Sequence, residues 1–271
     1  SVFDFYLQSL RAGMESGNYA DAELMLKGIT QFQGKYFPEQ KSLLQKMNFE
    51  ILNNKINIFD RLFGFYGIFG FVMLVLLFVR VLSPKYQLKW PIHILAILVG
   101  VSFLAHSFGL IARWYIAGFA PWSNGYESMV FIGWATVLAG LIFYKNSPIA
   151  LAATSVLASL IMYVAHLSWM NPEITNLVPV LKSYWLTIHV AIITASYGFL
   201  ALGAFIGFLN LIFLILQSKL NTKRIKEKVL ELSRISELTL IVGVYLLTVG
   251  TFLGGVWANE SWGRYWGWDP K

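Results

Sequence analysis

The chain has 271 residues, of which 57% are hydrophobic, 16% aromatic and only 13% charged, with a formal net charge of +7 and a mean hydropathy of +0.60. Average soluble domains carry about 25% charged residues, so this composition excludes a soluble enzyme and points to an all-α, polytopic membrane protein. Cysteine is absent, which removes disulfides, thiolate metal ligands and thiol nucleophiles from consideration.

Residues 1–58 contain no long apolar run. The spacing of Val2, Phe5, Tyr6 and Leu10, then Tyr19, Leu24, Leu26 and Ile29, then Leu43, Leu44, Met47 and Ile51 predicts about three short amphipathic helices, broken near Gly17 and Pro38. This part reads as a small helical domain outside the membrane. Six apolar segments follow, at about 59–82, 91–113, 126–144, 148–167, 184–217 and 235–256. Each approaches or exceeds the roughly 20 residues that cross about 30 Å of hydrocarbon as helix. The fifth is too long for one span at about 1.5 Å per residue, so it is expected to tilt or to project from the bilayer. Residues 59–256 are thus the transmembrane bundle, and 257–271 a closing external segment.

Cytoplasmic loops hold the excess of Lys and Arg. Ten cations lie between the predicted spans on one side: Arg80, Lys85, Lys89, Lys145, Lys219, Lys223, Arg224, Lys226, Lys228 and Arg234. After the first span, Arg113, Lys182, Arg264 and Lys271 lie on the other side. The asymmetry places residues 1–58 and 257–271 on the outer face of the membrane, and explains the basic balance by topology, with no nucleic-acid partner. No signal peptide precedes the external domain, so the sequence is expected to be an internal piece of a longer polypeptide.

Tryptophan is unevenly spread. Trp114, Trp122, Trp169, Trp185, Trp257, Trp262, Trp266 and Trp268 fall on the predicted outer side, Trp90 on the inner side and Trp134 in mid-span. An interfacial belt places indoles at both faces, whereas eight against one fits an aromatic platform for a flat, conjugated ligand. In WGRYWGWD, Gly263 and Gly267 permit tight turns, Trp262, Tyr265, Trp266 and Trp268 supply rings, and Arg264 and Asp269 supply charge. Heme, planar with an apolar edge and anionic propionates, has the matching shape.

The closing stretch WANESWGRYWGWDPK closely resembles the tryptophan-rich WWD signature of the heme-handling proteins of cytochrome c biogenesis, in the form found in the CcsA and fused CcsBA branch, the system II cytochrome c synthase. RWYIAGFAPWSNGYESMVFIGW (113–134) and YWLTIHVAIITASYGFLALG (184–203) agree, and the resemblance covers roughly 90–271. It implies a protein that brings heme b to the outer face and joins its vinyl groups to the CxxCH cysteines of apocytochrome c, a heme-lyase activity supported by thiol-reducing partner proteins. It further implies a pair of external histidines flanking the tryptophan segment as axial ligands of heme iron. His189 in LTIHV matches the first, and the second would lie beyond Lys271. Trp122, Trp257, Trp262, Arg264, Tyr265, Trp266, Trp268 and Asp269 complete the expected heme-binding set. Phe119 stands where the family often has histidine in GHxP.

The other histidines read as structural: His166 as an interfacial residue, His106 as a buried side chain bonded to a neighbouring carbonyl, and His93 as an inner-surface residue beside Trp90. Arg113 is open to two readings, a propionate partner or an anchor at lipid phosphate, and Arg264 likewise. Glu127 reads as a helix N-terminal anion capped by Ser123 or Asn124. Two rival functions remain at this point: a transporter for heme or another amphipathic solute, which mid-span polar residues would favour but of which there are few (Thr154, Ser155, Ser159, Thr194 and Ser196), and an assembly scaffold without bond-making activity.

Overall fold

The computed structural model describes residues 2–36, 38–83, 85–167, 170–177, 182–220 and 223–265. Nearly all of them are helical, and no strand occurs among the described residues. The chain forms two compact units, the first ending at Ile56 and the second beginning at Asn57.

The first unit comprises α1 (Val2–Ser16), α2 (Ala20–Tyr36) and α3 (Pro38–Ile56). Gly17 takes the left-handed conformation at φ 73° and donates its N–H to the Gly13 carbonyl at 2.9 Å, closing α1. The Tyr19 ring lies so close over Gly13 that an added Cβ would stand 2.7 Å from it. Pro38 opens α3, in the first turn, where a missing N–H leaves no intrahelical bond unmade.

The second unit comprises α4 (Ile58–Leu82), α5 (Lys89–Ala117), α6 (Gly125–Phe143), α7 (Pro148–His166), α8 (Tyr184–Leu220) and α9 (Lys223–Trp262), and six helices of the protein are long and apolar enough to cross a membrane. The chain is an all-α polytopic membrane protein, as its composition requires. Helices α4 to α9 run alternately up and down, so the start of α4, the 118–124 loop, the connection after α7 and the end of α9 share one end, the tryptophan end. The connections after α4, α6 and α8 share the other, the basic end.

Lipid tails are as apolar as leucine, so close approach of backbones at small residues holds such helices together. Gly67 and Gly70 of α4 meet Ser159 and Ser155 of α7, and a Cβ at Gly70 would stand 2.6 Å from that of Ser155. Ser159 Oγ donates across to the Phe63 carbonyl at 2.7 Å. Helix α7 packs against both α4 and α6, and its run from Ile149 to Ala153 is fully buried. Phe65, Ile68, Phe71, Val72 and Val75 are exposed on α4, an apolar surface suited to lipid.

Helix α9 runs past both predicted ends of the sixth span. The basic stretch 223–234, predicted to lie between spans, is helical: α9 starts at Lys223, and Ile225 and Leu232 are buried at heptad spacing with Thr239. An apolar stripe threads the cations, and α8 packs along it, so the 37 and 40 residues of α8 and α9 form one long hairpin. At its other end α9 runs past Val256, where the last span was predicted to end. The helix continues to Trp262 and stops where Gly263, at φ 69°, donates its N–H to the Asn259 carbonyl at 2.8 Å.

Candidate functional site

His189 lies on the second turn of α8 and is partly buried against α9. Its Nδ1 is 2.6 Å from the Gly250 carbonyl. A carbonyl only accepts, so Nδ1 carries the proton and Nε2 keeps a lone pair. Nε2 has no hydrogen-bond partner among the described residues. Gly254, one turn further along α9, makes this placement possible: an added Cβ would stand 2.6 Å from His189 Cε1 and 2.8 Å from Nδ1. Gly250, Gly254 and Trp257 fall at i, i+4 and i+7, on one face of α9. Sequence reasoning singled out His189 but neither glycine, whose only signal was the GG pair before VW.

Trp257 stands on that face one turn nearer the tryptophan end. Its Nε1 is buried with no partner among the described residues, an orphan indole donor. Trp262 meets it edge to face, with centroids 4.9 Å apart at 61°. Trp262 and Tyr265 are exposed at 60% and 68%, and Arg264 is exposed beside them. The α9 helix thus brings Trp257 and Trp262 together and offers Trp262, Arg264 and Tyr265 outward. Trp266, Trp268 and Asp269 lie outside the described residues, as does Trp169.

Trp122 is placed differently. Its Nε1 donates to the Thr187 carbonyl of α8 at 3.0 Å, two residues before His189. Its ring packs on Phe131 at 4.7 Å and edge-on to Trp114 at 5.7 Å. The indole therefore pins the 118–124 loop to the start of α8. That loop is fixed from its other side as well. Asn124 caps α6, its Oδ1 accepting the Glu127 N–H at 2.8 Å, so of the two candidate caps Asn124 is the one used. Ser123 instead donates its N–H to Glu127 Oε2 at 2.8 Å.

Arg113 has partners within the protein. Its Nε donates to Glu127 Oε1 at 2.8 Å, with both side chains almost wholly buried, and a second guanidinium nitrogen donates to the Glu173 carbonyl at 3.3 Å. A guanidinium at this depth needs a counter-charge, and Glu127 supplies it. Arg113 also lies over the Tyr126 ring, 5.3 Å from its centroid. A cavity of about 390 Å³ at the start of α6 is lined by Asn124, Tyr126, Met170, Asn171, Glu173 and Thr175, among others, none of them in the expected heme-binding set.

The remaining histidines divide clearly. His106 is fully buried, with Nδ1 3.3 Å from the Tyr66 hydroxyl and the Val130 backbone of the neighbouring helix beside the ring. His93 is exposed and sits edge-on to Tyr144. His166 pairs with Asp60 at the start of α4. No cluster of three or more His, Cys, Asp or Glu suited to a metal occurs among the described residues. Trp134, the mid-span indole, donates to Ser107 Oγ at 2.8 Å and stacks on Phe103 and Phe131. Of the mid-span polar residues, Thr154, Ser155, Thr194 and Ser196 are buried and donate to carbonyls of their own helices.

Residues 122–271 match the family described as cytochrome C assembly protein. Among curated proteins the chain is similar to Protein NrfI of Wolinella succinogenes, 44% identical over 249 residues, covering 91% of the chain and 27% of that protein. It is also similar to the cytochrome c biogenesis proteins CcsA of Prochlorococcus marinus (strain MIT 9303), 35% identical with 66% of each chain covered, and of Synechococcus sp. (strain CC9311), 32% identical with 76% of this chain and 78% of that one covered. The chain thus spans about a quarter of NrfI and about two thirds of the Prochlorococcus protein.

Proposed function

Since the chain belongs to the CcsA family of cytochrome c assembly proteins and so serves cytochrome c biogenesis, we propose that its tryptophan end holds heme b at the periplasmic face of a bacterial inner membrane and presents it for covalent attachment to the CxxCH cysteines of apocytochrome c. The observation that carries this reading is the His189 imidazole, held by Gly250 and seated on Gly254 with Nε2 available.

That geometry fits an iron porphyrin. Neutral imidazole with its other nitrogen bonded to a carbonyl is a normal axial ligand, fixed in tautomer and orientation. Trp257, Trp262 and Tyr265 offer ring faces and an unpaired indole N–H, and Arg264 offers a guanidinium to a propionate; Trp266, Trp268 and Asp269, outside the described residues, are proposed members of the set from the sequence signature alone. Trp122 acts from behind, keeping the loop and the first turns of α8 in register. Heme is the substrate, and its vinyl carbons are where the thioether bonds form. This chain contributes position: effective molarity from fixed orientation is worth about 7–11 kcal/mol in favourable cases. Its lack of cysteine leaves the apocytochrome thiols as the ones at hand. Thiol-reducing proteins and the surrounding lipid complete the partners. The self-satisfied mid-span hydroxyls speak against a polar transport path through the bundle.

Co-expression of the protein with a CxxCH apocytochrome in a host lacking its own maturation system tests the reading. Covalent heme on the apocytochrome, lost with His189→Ala, is the expected result. Heme-stained product at equal yield from both, or from neither, contradicts it.

A further inference from the structure

A second histidine at the tryptophan end is built like a ligand. His166 closes α7, and its Nδ1 is 2.9 Å from Oδ1 of Asp60 in the first turn of α4. The carboxylate is gripped from the other side by the Asn57 side-chain amide, which donates to Oδ2. Asn57 holds the left-handed conformation at φ 47°, which Asn tolerates better than most residues. Phe63, one turn beyond Asp60, stacks on the imidazole at 5.6 Å and 29°, and Tyr163, one turn before His166, packs on Phe63 at 6.2 Å. Ring plane, tautomer and tilt of His166 are therefore all set by α4. With Nδ1–H directed at the carboxylate, Nε2 carries the lone pair. It has no hydrogen-bond partner among the described residues, and the side chain is 48% exposed.

An ordinary interhelical clasp needs no such orientation, whereas a carboxylate behind an imidazole is the arrangement that raises ligand basicity and fixes a metal-binding ring. One nitrogen does not hold a bare ion, and no set of three protein ligands is present among the described residues. The fitting ligand is a metal that arrives with its equatorial positions already filled. We propose that His166, backed by Asp60, is a second axial site for an iron porphyrin, separate from His189, with Phe63 and Tyr163 as its aromatic flank. The proposal rests on the heme reading of the tryptophan end.

Ferric heme titrated into the full chain in nanodiscs tests it, read by absorbance and by the iron–histidine stretch in the resonance Raman spectrum of the reduced form. The His189→Ala protein should retain a weaker heme site. Adding His166→Gly should abolish that site, and exogenous imidazole should restore it. Adding Asp60→Asn instead should weaken it about 10–100-fold and lower the stretching frequency, while leaving the protein monodisperse. If His189→Ala alone removes all heme, or if Asp60 and His166 variants in that background lower thermal stability without altering heme affinity or spectrum, the second site is refuted and the first stands. If His189→Ala changes nothing and His166→Gly removes the heme, the second site stands and the His189 assignment falls.

Discussion

At the scale of single residues, two glycines seat His189, and one buried ion pair ties the end of α5 to the start of α6. A Cβ on Gly254 would stand inside van der Waals distance of three imidazole atoms of His189, so Gly254→Val is expected to push the ring off Gly250 and to release heme to the same extent as His189→Ala. Absorbance of the purified variants measures this, and full heme content in Gly254→Val contradicts the seating. Arg113 and Glu127 are buried together, and removing one partner of such a pair costs about 3–5 kcal/mol. Glu127→Ala should therefore lower the melting temperature sharply in detergent, and the double change Arg113→Met with Glu127→Leu should recover part of the loss. Equal melting of Glu127→Ala and the unaltered chain would show the pair to be dispensable. His189 was legible in the sequence through its resemblance to a known signature. Gly250 and Glu127 were not legible as partners of His189 and Arg113: the first pair is 61 residues apart and joined by helix packing, and the second crosses a loop whose path no local pattern dictates.

At the scale of elements, apolar runs gave the positions of six helices to within a few residues at most ends, because hydrocarbon demands about 20 apolar residues wherever a helix crosses. The α8–α9 hairpin departs from that guide. Charge marked 223–234 as a connection, yet charge reports where a segment sits, while the period of its apolar residues reports its shape. Ile225, Val229 and Leu232 carry that period between the lysines and glutamates. Spin labels placed singly from 224 to 234 should show accessibility oscillating with a helical period and minima at 225, 229 and 232. A flat, uniformly high profile would mean that α9 starts later. The same logic applies at the other end: Trp257 and Trp262 continue the helix because nothing between Val256 and Gly263 breaks it, and only the glycine, in the left-handed region, does.

At the scale of the whole molecule, one end of the bundle gathers His189, the Trp257–Trp262 pair and the His166–Asp60 pair, while the other gathers the cations. That polarity follows from alternating helix direction, and it was readable from Lys and Arg positions alone. The absence of cysteine offers a clean test of orientation: single cysteines at 85 or 145 should react with a membrane-impermeant maleimide only after the cells are opened, and one at 264 should react in intact cells. The reverse pattern would put the site on the wrong side for a periplasmic apocytochrome. The central claim is that His189 Nε2 binds heme iron, and the most direct measurement is the heme spectrum of the purified chain with and without that imidazole. The account predicts that His189→Gly loses the histidine-ligated spectrum and that added imidazole restores it. An unchanged spectrum and heme content in His189→Gly would contradict it.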